Sequence, residues 1–332
     1  MKLAVLGLGC WGLVLTKLLT PKFDDVWGWS RKQDLSDELL KEKKSKIPFV
    51  VELDKRVNIT HNLKDAIEGA DIILLVVSTS AIRSVCEQLK DAGIKSSQIL
   101  VNTSKGLELP SLKRMSEVIK EVLPLQKFAV LSGPTLAREV LEGKPTAASV
   151  ASDDMKVAKF VQENLNVDTK FRLYTNSDVA GVEFGGSLKN VIAIAAGFLS
   201  ELDLGDNAKG AILTRGMAEI VRVGTALGAN ASTFWGLSGM GDLIATCSSP
   251  LSRNHTVGRM LAKGKKIEDI LSELGSVAEG VKTSKAICEL SEKLNIDTPI
   301  SHAIYQAVYS QENSKEIFMN LMLRSLKAEE TF

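Results

Sequence analysis

A chain of 332 residues, 45% of them apolar and 24% charged, has the make-up of an ordinary folded protein with room for two domains, and is neither charge-rich nor apolar-poor enough to be disordered. Its 41 basic and 40 acidic residues are interspersed and leave a formal charge of +1, which excludes a broad electrostatic footprint for nucleic acid or an anionic membrane. The four cysteines (Cys10, Cys86, Cys247, Cys288) and three histidines (His61, His255, His302) form no paired metal site, C-x-x-C motif or Ser-His-Asp set, so the chain is expected to be cytoplasmic and to work without metal or histidine.

The first apolar run, residues 3–6, is followed by Gly7-Leu8-Gly9-Cys10-Trp11-Gly12 and then a helical stretch. In that context G-x-G-x-x-G permits a tight turn, close approach of backbone to a pyrophosphate, and packing of helix on strand, while the helix N-terminus offers N–H donors to the anion. Gly7, Gly9, Cys10, Trp11 and Gly12 are therefore expected to bind a dinucleotide, although the side chains of Cys10 and Trp11 could merely pack the loop. Residues 3–16 carry no charge after Lys2 and could also pass for the apolar part of a signal peptide with Cys10 as a lipidation site. The glycine pattern, and the first strand such a signal would remove, favour the nucleotide reading.

The second run, 26–29, leads into Ser30-Arg31-Lys32. NAD-specific sites commonly end this strand with an acid that binds the ribose 2′-OH. A cation at Arg31 instead suits the 2′-phosphate of NADP, because guanidinium forks match phosphate oxygens. The alternative is a solvated basic residue opening the next helix.

Further β-like runs at 71–77, 98–101, 127–131, 146–151 and 169–173 alternate with amphipathic stretches such as 35–44 and 155–164, the rhythm of βαβ units. After Asn176 such runs vanish and Gly- and Ala-rich helical patterns take over, for example 179–202 and 208–227. The expected architecture is an α/β, Rossmann-like dinucleotide-binding domain over residues 1–177 followed by an all-α domain over 178–332. Residues 223–241 are uncharged but too rich in Gly, Ser, Thr and Asn for a spanning helix, and no membrane segment is expected.

Four more segments gather glycine with polar and charged residues in apolar surroundings: Asn102-Thr103-Ser104-Lys105-Gly106-Leu107, Leu131-Ser132-Gly133-Pro134-Thr135, Gly186-Ser187-Leu188-Lys189-Asn190-Val191, and Gly239-Met240-Gly241-Asp242 running on to Ser252-Arg253-Asn254. With the glycine loop, with Asn207-Ala208-Lys209 through Thr214-Arg215-Gly216, and with Val277-Ala278-Glu279-Gly280, they make the chain resemble the bacterial NAD(P)-dependent glycerol-3-phosphate dehydrogenases nearly from end to end. The resemblance implies reduction of dihydroxyacetone phosphate to sn-glycerol 3-phosphate with NADPH or NADH, a product that feeds phospholipid synthesis. It also implies an active site in the cleft between the halves.

Residue by residue, the resemblance makes Lys189 the catalytic lysine. Ketone reduction needs a proton on oxygen as hydride reaches carbon, and an ammonium serves best when burial beside a second cation draws its pKa toward working pH. Lys105 would be that cation, between nicotinamide and substrate, where it orients the carbonyl and neutralises developing charge. Arg253 and Asn254 match the residues at the substrate phosphate, Arg253 also lying near the cofactor, and Ser252 is a plausible N-cap for a helix over 254–263. Asp242 would bond either a substrate hydroxyl or the Lys189 amine. Gly133 and Thr135 would contact substrate, and Ala137, Val277 and Glu279 the cofactor. Cys10 departs from the small Ser or Ala expected at its position, a nearly isosteric change.

Two rival readings remain at this stage. One is a hydroxy-acid dehydrogenase that recognises a carboxylate instead of a phosphate. The other is an NADPH-binding redox regulator without catalysis, which would have no need of Lys105, Lys189 and Asp242 together. The expected partner is a small-molecule substrate, with homodimerisation left open.

Overall fold

The computed structural model describes residues 1–45, 49–275, 278–310, 312–326 and 328–329. The chain divides into two compact units, Met1–Ser104 with Met115–Val179, and Lys105–Arg114 with Ala180–Phe332. The expected division at 177/178 moves to 179/180, and residues 105–114, expected in the first domain, leave it. The reason is apolar: Leu107 and Leu112 are buried in the core of the helical unit.

The strands are β1 (Lys2–Leu6), β2 (Asp25–Trp29), β3 (Lys44–Ser45), β4 (Val51–Glu52), β5 (Asn58–Thr60), β6 (Ile72–Leu75), β7 (Ile99–Asn102), β8 (Lys127–Ser132), β9 (Thr146–Ala151) and β10 (Phe171–Asn176). Eight of them form one sheet in the order β10-β9-β8-β7-β6-β1-β2-β5, and β3 pairs with β4 in a separate ribbon. Neighbours in the large sheet run parallel except β8 and β9. Leu3 to Leu6 and Ile72 to Leu75 are wholly buried, as strands covered on both faces must be, which is why they read as continuous apolar runs. The strand order reverses at β1, the switch point where open α/β sheets bind ligands beyond their strand ends.

Departures from the expected strands have local causes. β10 begins at Phe171 and not at 169, because Thr169 has φ 64° and Val167 bridges Phe171 in a tight turn. β5 escaped notice because Asn58–Thr60 has one apolar residue, Ile59, too little for any run or alternation. Residues 3–16 form β1, the glycine loop and part of the helix Cys10–Leu19.

The second unit is helical after Ala180: Val179–Glu201, Gly205–Ala226, Asp242–Ser248, Arg253–Ala262, Ile267–Leu274, Glu279–Leu294, Pro299–Tyr309 and Ser314–Met322. Val179–Glu201 is long and apolar enough to cross a membrane, yet 94% of its most apolar window is buried inside the protein. It is the core helix of this unit, with Val191, Ile192, Ile194 and Phe198 at the centre of the apolar cluster. Residues 223–241 comprise the end of Gly205–Ala226, a 3-10 turn and a π-helical turn.

One buried carboxylate ties two of these helices together. Pro299 opens its helix without an N–H, and the N-cap Thr298 makes no side-chain cap. Glu219, from Gly205–Ala226, takes over, accepting from Ile300 N (2.6 Å), Ser301 N (3.0 Å) and Ser301 Oγ (2.8 Å). Burial pushes its carboxyl up from 4.5 to about 7 even though these donors oppose the rise. A carboxyl held above its unfolded value stabilises the fold while protonated, so that contribution is present below about pH 4.5 and is lost as pH rises through about 7. Glu219→Gln cannot ionise. Between pH 5 and 8 the wild type is expected to lose on the order of 1–3 kcal/mol of stability relative to this variant. Thermal midpoints of both proteins measured across that range check it, and a constant difference would refute the assignment.

Candidate active site

Within the helical unit, Lys189 lies on the core helix and Asp242 opens the helix Asp242–Ser248. Lys189 Nζ donates to Asp242 Oδ1 at 2.9 Å and to Thr246 Oγ1 at 2.6 Å, and Thr246 Oγ1 donates to the same Asp242 oxygen at 3.1 Å. Lys105 Nζ donates to the other oxygen, Oδ2, at 2.6 Å. One carboxylate, 1% exposed, thus holds two ammonium groups, and the cluster keeps one net positive charge. Burial alone would raise the Asp242 carboxyl, but Lys105 and Lys189 outweigh it and hold the group below its ordinary value. Burial draws Lys105 down to about 8, with Asp242 opposing and Lys189 assisting.

Glycines let these elements meet. Gly185 is one turn before Lys189, on the same face of the core helix. A Cβ there would lie 2.7 Å from the carbonyl oxygen of Ser238, in the π-helical turn Leu237–Gly241 that delivers Asp242. Asp242 and Thr246 are four residues apart in sequence and share a face of their helix, which brings the hydroxyl beside the carboxylate. Thr246 was not singled out from sequence. The available signal was its i, i+4 spacing from Asp242, which any helical threonine near an acid shares.

Farther along the core helix, a Cβ on Gly197 would stand 2.0 Å from the His255 carbonyl oxygen, and one on Gly258 1.9 Å from that of Ile194. The helix Arg253–Ala262 therefore crosses the core helix backbone to backbone. Ser252 is its N-cap as expected, with Oγ accepting from His255 N at 3.3 Å. The N–H groups of Arg253 and Asn254, in the first turn, have no acceptor within the helix, and the Arg253 side chain is exposed. The side chain of Asn254, expected at the substrate phosphate, is engaged within the helical unit. Its Nδ2 donates to Asn190 Oδ1 (2.8 Å) and its Oδ1 accepts from Gly280 N (3.0 Å), so its amide joins three helices. Glu279 occupies the first position of Glu279–Leu294, next to Gly280. Val277 lies outside the described residues.

In the α/β unit the three loop glycines do different work. Gly7 has φ 109°, and a Cβ on it would lie 2.4 Å from the Val76 carbonyl oxygen; one on Gly12 would lie 1.9 Å from that of Gly7. These two allow the turn and the packing of helix on strand. Gly9, the exposed N-cap of Cys10–Leu19, has nothing within 4 Å of such an atom. It leaves an open cradle over the positive end of a helix with no acid in its first turn, which fits a pyrophosphate. Cys10 is the first helical residue, and Trp11 packs its ring 6.3 Å from that of Phe171. Arg31 is exposed just past β2. At the end of β8, Gly133 has φ 150° and its carbonyl accepts from Thr135 Oγ1 at 3.1 Å, with Ala137 opening the helix Ala137–Leu141.

Comparison with known proteins agrees over the whole chain. Residues 2–158 match the family described as NAD-dependent glycerol-3-phosphate dehydrogenase N-terminus, and residues 178–319 match its C-terminus. A glycerol-3-phosphate dehydrogenase [NAD(P)+] of Thermoanaerobacter sp. (strain X514) is 43% identical over 329 residues, covering 99% of each chain. Its counterpart from Lacticaseibacillus paracasei is 45% identical over 341 residues, covering 100% of this chain and 97% of the relative. The crystal structure of glycerol-3-phosphate dehydrogenase from Coxiella burnetii superposes with a TM-score of 0.91 at 32% identity, over 97% of this chain and 99% of that one.

Proposed function

Because this chain belongs to the NAD-dependent glycerol-3-phosphate dehydrogenase family, reducing dihydroxyacetone phosphate to sn-glycerol 3-phosphate with NAD(P) as cofactor, we propose that Lys189 delivers the proton and Arg253 holds the phosphate. The observation that carries this reading is the buried Asp242 carboxylate bridging two lysines. A carbonyl being reduced gathers negative charge on oxygen, and a cluster with one net positive charge, already desolvated, stabilises that charge without reorganising.

Lys189 Nζ, held by Asp242 and Thr246, is aimed to give its proton to the substrate oxygen. Lys105 orients the carbonyl and shares its charge. Both Asp242 oxygens are engaged by lysines, which supports the role of holding the amines over that of binding a substrate hydroxyl. Arg253 and the first-turn N–H groups of its helix, capped by Ser252, receive the dianionic phosphate. In this reading Asn254 serves through its backbone while its amide fixes the helix. Gly133 and Thr135 supply backbone and hydroxyl contacts to substrate.

For the cofactor, Gly7, Gly9, Cys10, Trp11 and Gly12 form the pyrophosphate cradle, Arg31 takes the 2′-phosphate of NADP, and Ala137, Val277, Glu279, Lys105 and Arg253 complete the contacts. When bound, the dihydronicotinamide supplies a hydride to the carbonyl carbon; with the Lys189 proton on oxygen, the ketone becomes a secondary alcohol. The enzyme acts in the cytoplasm and supplies phospholipid synthesis.

A second reading gives the proton to Lys105, and the observation in its favour is its amine drawn down to about 8. The variants decide. Lys189→Ala is expected to lower turnover of dihydroxyacetone phosphate about 100-fold to 10,000-fold, leaving cofactor affinity intact. Near-normal turnover in the folded variant would transfer the role to Lys105.

Arg253→Ala should raise the KM for dihydroxyacetone phosphate about 10-fold to 100-fold while unphosphorylated dihydroxyacetone is nearly indifferent. Equal losses on both substrates would make Arg253 structural. For the cofactor, Arg31→Ala should raise the KM for NADPH about 5-fold to 30-fold, less at high salt, and leave NADH little changed. Kinetics with both cofactors at two ionic strengths measure this, and an equal loss for each would detach Arg31 from the 2′-phosphate.

A further inference from the structure

Lys105 occupies a position it would not choose alone. Its ammonium enters a buried site that already holds Lys189, so burial and like-charge repulsion both work against it, while Asp242 works in its favour. The segment that carries it, Lys105–Arg114, packs with the helical unit through Leu107 and Leu112. Apolar burial is non-directional, so it keeps the segment on the unit without fixing where Lys105 points.

A directional contact lies at the other end. Arg114 Nη1 donates to Glu183 Oε2 at 3.0 Å, with side chains 18% and 5% exposed, and the guanidinium lies 5.6 Å from the Phe184 ring centroid. Glu183 sits on the core helix, less than two turns before Lys189. The segment between is closed on itself: Leu107 bridges Arg114, Glu108 N donates to the Lys113 carbonyl at 2.9 Å, and Leu112 N donates to the Glu108 carbonyl at 2.7 Å. A displacement of Arg114 is therefore passed to Lys105. Buried ion pairs add little net stability over apolar replacements, and their best-attested use is to set register.

We propose that the Arg114–Glu183 ion pair is the anchor that sets Lys105 against Asp242, which makes Arg114 and Glu183 positioning residues for the reaction. The claim rests on the role given above to Lys105. The paired variant Arg114→Met/Glu183→Leu tests it, because removing both charges at similar volume leaves no lone buried ion.

In this variant kcat/KM for dihydroxyacetone phosphate is expected to fall about 10-fold to 100-fold. The titration of the Lys105 amine, followed by its pH-dependent acetylation and peptide mass spectrometry, should rise from about 8 toward the ordinary lysine value. In a Lys105→Met background the same replacement should leave kcat/KM unchanged, since the pair acts through Lys105. An unmoved titration in the folded variant, or equal losses in both backgrounds, overturns the proposal. A titration that moves while Lys105→Met alone keeps normal turnover leaves the anchor standing and removes the chemical role of Lys105. Should the paired variant not fold, Arg114→Lys keeps the charge and loses the guanidinium fork. A smaller upward shift is then expected, and no shift overturns the anchor.

Discussion

The candidate active site depends on one carboxylate shared between two ammonium groups. Two lysines buried together repel each other and lose their hydration, an arrangement the fold could not hold without Asp242 between them. By binding Lys105 through one oxygen and Lys189 through the other, Asp242 joins the Lys105–Arg114 segment, the core helix and its own short helix at one point. What is left is a single net positive charge in a largely buried site. That is the field in which an oxygen acquiring negative charge is most stabilised.

The core helix makes this junction possible by being unusual along its length. It is apolar enough to be mistaken for a membrane span, yet Glu183, Lys189 and Asn190 are all buried on it. Each has a partner from a different element: Arg114, Asp242 and Asn254 respectively. Buried polar groups are tolerated when so paired, and the pairs set which helix meets which. Glycines at 185, 197 and 258 bring the backbones into contact where those partners must reach. Each glycine weakens its helix by up to about 1 kcal/mol, an amount that burial of the surrounding apolar side chains offsets.

The cofactor loop follows a different logic, because all its parts are neighbours in sequence. A buried strand, a turn that only glycine can make at Gly7, and an uncapped helix N-terminus follow one another within a few residues. The same holds for Ser252, which caps the helix that begins at the next residue. Such features were legible beforehand, since each is a local arrangement with local steric or hydrogen-bonding causes.

By itself, then, the amino-acid sequence determined the alternation of buried strands with helices, the all-helical second half, the glycine cradle and the segments that carry Lys105, Lys189, Asp242 and Arg253. It did not reveal the short edge strand β5, whose one apolar residue leaves no periodicity. Nor did it show that residues 105–114 pack with the helical unit, that Thr246 completes the lysine cage, that the Asn254 amide points inward, or that Glu219 caps a helix 80 residues away in the chain. These were decided by tertiary structure alone. A glutamate, threonine or asparagine reads the same in sequence whether water or protein surrounds it, and only packing brings a distant donor within hydrogen-bond reach.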